Sequence, residues 1–304
     1  MVEFNLKSFD ELNISCIESK CENPKAIIQI IHGMAEHKER YIPIINYLNK
    51  NGYSVYISDN RGHGKSINDK YVLGNTGTPD DLINDQLCFT KYIKNINPDK
   101  KIILLGHSMG TLITRGYLMK NDDSISGVVL SGTVCLNGAA NLAVSLAKGK
   151  VKNKGELGSS KLLFALSNNF SFKKDFSWLS YNQENIDKYE ADALCGYEFT
   201  NNGYLTLFTM VKMLNDIKGY ECKNPNLSIR SFSGADDRTT GGTKGLNGVV
   251  KALNKCGYTN VKFVEYPKMK HEIFNENECE MVFNDVCVAI EEMLWNIAMN
   301  VVQS

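Results

Sequence analysis

Lys101-Ile-Ile-Leu-Leu-Gly-His-Ser-Met-Gly110 is the stretch whose reading decides the fold. Ile102 to Leu105 is a short continuous apolar run, the pattern of a strand buried on both faces. Gly106-His107-Ser108-Met109-Gly110 follows and fits G-x-S-x-G, and Thr111 to Lys120 then reads as a helix. Strand, glycine-flanked serine and helix together describe a nucleophile elbow. In such a turn the serine sits in a strained backbone conformation that projects its hydroxyl above the sheet edge. The positions two before and two after it must be small, because side chains there would collide across the turn. The helix behind the serine aims its free N–H groups and positive dipole end at a reacting carbonyl. An incidental serine in a glycine-bounded turn would match the same five letters, so the reading depends on what the rest of the chain supplies.

Upstream of the elbow the chain alternates strands and helices. Phe4 to Ile17 carries two alternating patches, read as a strand pair at the sheet edge. Ala26 to Ile31 and Tyr53 to Ser58 read as buried strands, with a helix over Arg40 to Lys50 between them. Asp80 to Asn95 reads as a helix with acidic residues at its start, stopped by Asn97-Pro98. Downstream, Gly127 to Leu130 is another strand. Roughly ninety residues after Ser131-Gly132 then break the rhythm, too many for a loop. They contain helical stretches at Ala139 to Lys148, Ser160 to Asn168, Asn185 to Ala193 and Tyr204 to Ile217. The rhythm resumes with a strand over Leu227 to Ser233, a helix over Gly242 to Cys256, a strand over Val261 to Tyr266 and a helix over Cys279 to Val302. The expected class is α/β, with a mainly parallel sheet covered on both faces. Residues 1–131 and 226–304 would form the core, and 132–225 an inserted helical cap.

Composition narrows the possibilities. The chain has 304 residues, 43% of them hydrophobic, and a formal net charge of zero. That suffices for a sizeable core and argues against nucleic acid as a partner. The first ten residues lack the basic and apolar regions of a signal peptide. No apolar run approaches the ~18 residues of a membrane span. Nine cysteines lie scattered without a C-x-x-C pair, so they read as free thiols in a reducing cytoplasm.

A serine hydroxyl needs an adjacent base to act as a nucleophile at neutral pH. In a sheet of this kind the order is nucleophile, acid, histidine, each on a turn after a strand. His271 is the one histidine after Ser108, and it lies just beyond the last expected strand. The acid should follow the strand ending near Ser233, where Gly234-Ala-Asp-Asp-Arg238 offers Asp236 and Asp237. Spacing does not choose between them. The one that does not orient His271 is expected to cap its own turn. Two backbone donors for an oxyanion are placed by position at the N–H groups of Met109 and Met34.

Four blocks now stand in order: His32-Gly-Met-Ala-Glu-His37, Asp59-Asn-Arg-Gly-His-Gly-Lys-Ser66, Gly106-His-Ser-Met-Gly110 and Gly234-Ala-Asp-Asp237. They resemble the H-G-x-x-E-H, D-x-R-G-H-G-x-S, G-H-S-M-G and G-x-x-D blocks of the monoacylglycerol lipase and lysophospholipase branch of the α/β-hydrolase fold. The resemblance covers nearly the whole chain. Trp178 to Thr200 also resembles the cap segment of bacterial lysophospholipase-like members. The resemblance implies a serine hydrolase that cleaves esters of single-acyl-chain lipids and needs no cofactor. It puts Ser108, Asp237 and His271 in the catalytic roles, with Asp236 in reserve, and the amides of Met34 and Met109 at the oxyanion. A thioesterase, an acyltransferase or a small-ester carboxylesterase would use the same triad. A non-catalytic ligand-binding protein on this scaffold would be expected to have lost a triad member.

The remaining histidines have plainer expectations. His107 should pack under the elbow, His32 and His63 should fasten loops by hydrogen bonds, and His37 should hold its own loop. A metal site from His32 and His37 is not expected, since no H-E-x-x-H pattern is present. Gly64-Lys65-Ser66 lacks the first glycine of a phosphate loop, so nucleotide binding is discarded. In the insertion, Ala139, Leu142, Ala143, Leu146 and Ala147 share a helical face, followed by Lys148, Lys150, Lys152 and Lys154. The expected arrangement is a cap helix over the site and then a solvated lysine-rich loop. The alternative is a lid that rests on anionic lipid.

Overall fold

The computed structural model describes residues 1–136, 138–168, 171 and 173–303. The apolar run that opens the elbow forms β5 (Ile102–His107), at the centre of an eight-stranded sheet. Ile103 and Leu105 face one side of it, and Ile102 and Leu104 the other. A strand with two buried faces has no polar position to alternate with, which is why the run is continuous.

The other strands are β1 (Val2–Lys7), β2 (Asn13–Ser19), β3 (Ala26–Ile31), β4 (Tyr53–Ser58), β6 (Gly127–Ser131), β7 (Ile229–Gly234) and β8 (Val261–Tyr266). Their order across the sheet is β1-β2-β4-β3-β5-β6-β7-β8. From β4 to β8 every neighbouring pair is parallel, while β1–β2 and β2–β4 are antiparallel. The chain runs outward from β3 to β4 and then back across to β5. This reversal puts a crevice at the carboxyl ends of β3 and β5, where open α/β sheets bind ligands.

Two helical layers sandwich the sheet. On one side α1 (Ile42–Lys50) and α9 (Cys279–Gln303) bring Ile44, Leu48, Val282, Val286 and Ile290 against Ile28, Ile57, Ile103 and Leu105. On the other, α2 (Pro79–Ile96), α3 (Met109–Asn121) and α8 (Gly242–Lys255) bring Phe89, Ile93, Tyr117, Leu118 and Leu253 against Ile27, Leu104, Val128 and Leu130. The starts of two helices follow from a capping box in one and a proline in the other. The Thr78 hydroxyl accepts from the Asp81 N–H while the Asp81 carboxylate accepts from the Thr78 N–H, so α2 begins at Pro79. Arg40 falls in a 3-10 turn (Lys38–Tyr41), and α1 itself begins at Ile42 beside Pro43.

Among the described residues, four α-helices lie between β6 and β7: α4 (Ala140–Lys154), α5 (Lys161–Ser167), α6 (Gln183–Ala191) and α7 (Asn201–Met213). Val144, Ala147, Leu163, Phe199, Tyr204 and Phe208 form one cluster with Ile31, Met109, Leu112 and Ile113 at the carboxyl edge of the sheet. The lysine-rich segment differs from expectation. It is the second half of α4, not a loop, and the helix runs on to Gly155, whose φ of 77° ends it. Lysine is a good helix former, and the single interior glycine, Gly149, costs only about 1 kcal/mol. Among the described residues no helix is long and apolar enough to cross a membrane.

Candidate active site

Ser108 stands between the end of β5 and the start of α3 with φ 53° and ψ −117°, a conformation that L-residues rarely hold. The turn is enforced from both sides. A Cβ on Gly106 would lie 2.5 Å from the Gly110 carbonyl oxygen, and one on Gly110 would collide with the Ile31 carbonyl. The Ser108 N–H donates to the Ser131 carbonyl at 2.9 Å, and its own carbonyl accepts from the Thr111 N–H at 2.8 Å.

Asp237 and His271 reach the same edge from the turns after β7 and β8. The His271 Nδ1 and Asp237 Oδ2 are 2.8 Å apart. Asp237 Oδ1 accepts from both the Thr239 N–H and the Thr239 hydroxyl, each at 2.8 Å. Both oxygens of this buried carboxylate are therefore engaged. Burial disfavours an imidazolium at His271, but the Asp237 carboxylate outweighs it and holds the His271 pKa above its ordinary value. Burial likewise works to raise the Asp237 pKa, and His271 and Thr239 together hold it down. With Nδ1 engaged, Nε2 is the free face of the ring. It is buried and has no hydrogen-bond partner among the described residues.

Geometry places the two aspartates differently. Asp237 meets the histidine, whereas Asp236 is exposed and its Oδ2 accepts from the Tyr181 hydroxyl at 3.0 Å. The expectation that the second aspartate caps its own turn is corrected. Asp237 does the capping with its second oxygen, because the turn folds the Thr239 amide back over it.

Ser108, Met109, Met34 and His271 line one cavity of about 530 Å³. Its walls are mainly apolar: Leu112 from the core, with Val134, Leu142, Ala143, Leu146, Phe164 and Phe208 from the insertion. Leu142 remains 64% exposed, so the cavity is open along α4. In the loop after β3 the Gly33 N–H donates to Glu36 Oε1 at 2.6 Å, and the Met34 N–H has no partner among the described residues. The Met109 N–H belongs to the first turn of α3, whose amides a helix leaves unpaired. A Cβ on Gly33 would sit 2.6 Å from Glu36 Oε1 and 3.1 Å from the Ser108 Cβ, so the loop passes the serine at glycine distance.

The other histidines behave as read. His107 is buried with Nδ1 3.1 Å from the Ser131 hydroxyl, and burial together with the neighbouring His271 pushes its pKa down to about 4. His32 Nε2 accepts from the Asn60 N–H at 2.8 Å, and His63 Nδ1 lies 3.1 Å from the Arg61 carbonyl. His37 reaches further than its own loop: Nδ1 is 2.6 Å from Glu39 Oε2 and Nε2 is 2.8 Å from Asp192 Oδ2 in the insertion.

Two features escaped the sequence. Trp178 from the insertion lies with its ring 4.9 Å from that of His271, and the Arg238 guanidinium stacks on its indole at 4.1 Å. A buried ion cluster stands beside the site. Arg40 donates to Glu36 Oε2 at 2.8 Å and to both oxygens of Glu272 at 2.7 Å, and Asn185 also donates to Glu272 at 2.7 Å. Burial alone would raise the Glu272 pKa, but Arg40 holds it at about 2. Glu36 and Glu272 each adjoin a residue read as functional, yet nothing local ties Arg40 to a carboxylate so far along the chain.

Comparison with known proteins agrees with this architecture. Residues 22–278 match the family described as serine aminopeptidase, S33. The chain is 30% identical to mouse monoglyceride lipase over 209 residues, 68% of this chain and 62% of that protein. It therefore spans somewhat less than two thirds of the mouse relative. It is 25% identical to the monoacylglycerol lipase of Mycolicibacterium smegmatis over 266 residues, 87% of each chain. A thermostable carboxyl esterase from Bacillus coagulans superposes with a TM-score of 0.84 at 23% identity, over 96% of this chain and 98% of that one. With a family match across most of its length on an α/β-hydrolase sheet, the chain belongs to the serine aminopeptidase S33 family of α/β-hydrolases.

Proposed function

We propose that the protein is a serine hydrolase that cleaves carboxylic esters of lipids bearing a single acyl chain, monoacylglycerols first and lysophospholipids second. One observation carries the reading. His271 is fastened to Asp237 through Nδ1, its Nε2 has no hydrogen-bond partner among the described residues, and the residue lines the same apolar cavity as Ser108. His271 takes the Ser108 proton as the hydroxyl attacks the ester carbonyl. The amides of Met34 and Met109 hold the oxyanion, and Asp237 holds the tautomer and stabilises the imidazolium that forms. The alcohol leaves with that proton, and water clears the acyl-enzyme by the same steps. Helices α4 to α7, within residues 132–225, act as the cap. Their apolar residues give one acyl chain a wall to lie on. The lipase names of the mouse and mycobacterial relatives support this substrate class.

A fluorophosphonate that labels serine nucleophiles should modify the wild type and leave Ser108→Ala unmodified. A panel of monoacylglycerols, lysophospholipids, acyl thioesters and short aryl esters then ranks the substrates. Faster transfer to an added alcohol than to water would make the protein an acyltransferase. Equal labelling of Ser108→Ala would overturn the assignment. The cap also offers a contact with lipid. Leu142 is exposed at the cavity mouth, and α4 continues into Lys148, Lys150, Lys152 and Lys154. Binding to anionic vesicles that salt reverses is expected, and absence of binding at any salt concentration removes this contact. Nine free cysteines suit a reducing cytoplasm.

A further inference from the structure

His37 closes the loop that carries Met34, and it does not point into the cavity. Its Nε2 meets Asp192 Oδ2 at 2.8 Å, across to the segment that follows α6. Cys195 lies one turn on, its N–H bonded to the Asp192 carbonyl at 2.9 Å. One ligand atom from each of His37, Asp192 and Cys195 lies within 4.8 Å of the other two, with His37 and Cys195 buried and Asp192 half-buried. We propose that His37, Asp192 and Cys195 form a binding site for a divalent metal of the zinc type, separate from the serine site.

Three observations support it. The donor set of imidazole, thiolate and carboxylate is the set zinc prefers, at bond lengths of about 2.0–2.3 Å. Tetrahedral bonds of that length separate ligand atoms by roughly 3.3–3.8 Å, which lies between the 2.8 Å of His37 to Asp192 and the 4.8 Å within which all three atoms fall. Two of the ligands, His37 and Asp192, are also oriented from behind. The His37 Nδ1 is held by Glu39 Oε2 at 2.6 Å, the carboxylate–histidine arrangement that fixes a metal-binding tautomer. Asp192 Oδ1 accepts from the Leu194 N–H at 2.8 Å, which leaves Oδ2 to turn to the metal. Charge closes as well. A divalent ion with one thiolate, one carboxylate and a neutral imidazole is neutral overall, and binding releases the thiol proton and any proton on Nε2. Three protein ligands leave a fourth position for water.

The ion would tie the oxyanion loop to the insertion. The Gly196 N–H and the Tyr189 hydroxyl already converge on the Ala35 carbonyl at 2.9 Å each. The full chain, stripped with a chelator and desalted, is titrated with Zn²⁺ against a chromophoric chelator, and separately with Co²⁺. One tight ion per chain is expected, with a thiolate-to-cobalt charge-transfer band. Cys195→Ser should lose both band and tight binding, and Asp192→Asn should lose tight binding. Cys21→Ser, a distant half-buried thiol, should keep both. Circular dichroism checks that each variant is folded. Glu39→Gln keeps all three ligands and should weaken binding roughly 10–100-fold. No tight ion in the wild type, or a cobalt band that survives Cys195→Ser, overturns the site.

Discussion

At the scale of single residues, Asp237 and Asp236 show how much one position changes. They are adjacent and chemically identical, yet one is buried against an imidazole and the other lies on the surface against a tyrosine. Asp237→Asn should lower turnover on the order of 10⁴-fold, because the amide favours the wrong tautomer of His271. Asp236→Asn removes only an exposed charge, leaving an amide oxygen that can still accept from Tyr181, and should leave turnover within about twofold. Steady-state kinetics on both variants, with folding checked by circular dichroism, separates them. The same carboxylate sets the pH profile. A raised His271 pKa means that the proton must be removed at higher pH before the ring can act as a base. Activity should therefore rise with pH through a midpoint above the ~6.5 of a free histidine. In Asp237→Asn burial still disfavours the imidazolium and only the smaller pull of Glu272 and Glu36 opposes it, so the residual activity should have its midpoint displaced downward. A midpoint unchanged between the two would show that Asp237 does not govern the base.

At the scale of elements, the elbow was legible because its constraint is local. The two glycines, the apolar strand and the helix all lie within twenty residues, so spacing in sequence is spacing in space. Gly110→Ala tests that constraint. The added methyl would enter the Ile31 carbonyl, so either β3 or the serine must shift. A shift of about 1 Å at the nucleophile costs on the order of 10²-fold in rate, and the labelling rate at Ser108 should fall by a similar factor. Full labelling by Gly110→Ala would mean that the turn has slack which its packing does not show. Helix α4 was only half legible. Its first half has an apolar face, but in its second half Val151, only half-buried, stands alone among lysine and polar residues, and no fully buried stripe marks a helix. Periodicity sees a helix only where a partner covers one side. The strands had the opposite advantage, since Tyr53–Ser58 and Val261–Tyr266 begin and end where their turn signals stand.

At the scale of the whole molecule, the insertion and the core share the Arg40 cluster, and this could not be read from the chain. Arg40, Asn185 and Glu272 come from three distant segments, and no local pattern marks them as partners. The charges are buried, so each depends on the others. Removing one member of a buried ion pair typically costs about 3–5 kcal/mol, because the partner is left uncompensated. Arg40→Met should accordingly destabilise the fold by that order in urea denaturation. The loss should fall on the insertion first, since the Arg40 and Glu272 side chains are what Asn185 docks against. Limited proteolysis should then cut within residues 132–225 before it cuts the sheet. Acid should mimic the mutation. Glu272 has its folded-state pKa held at about 2, against ~4.3 in an unfolded chain. A carboxylate with a depressed pKa contributes its full stability above the unfolded value and loses it as pH falls toward the folded one. Between about pH 4.3 and pH 2 the wild type should therefore lose stability steadily. In Glu272→Gln, which has no carboxylate to protonate, the curve should be shallower over that window. Parallel slopes for the two proteins would show that Glu272 is not where acid acts.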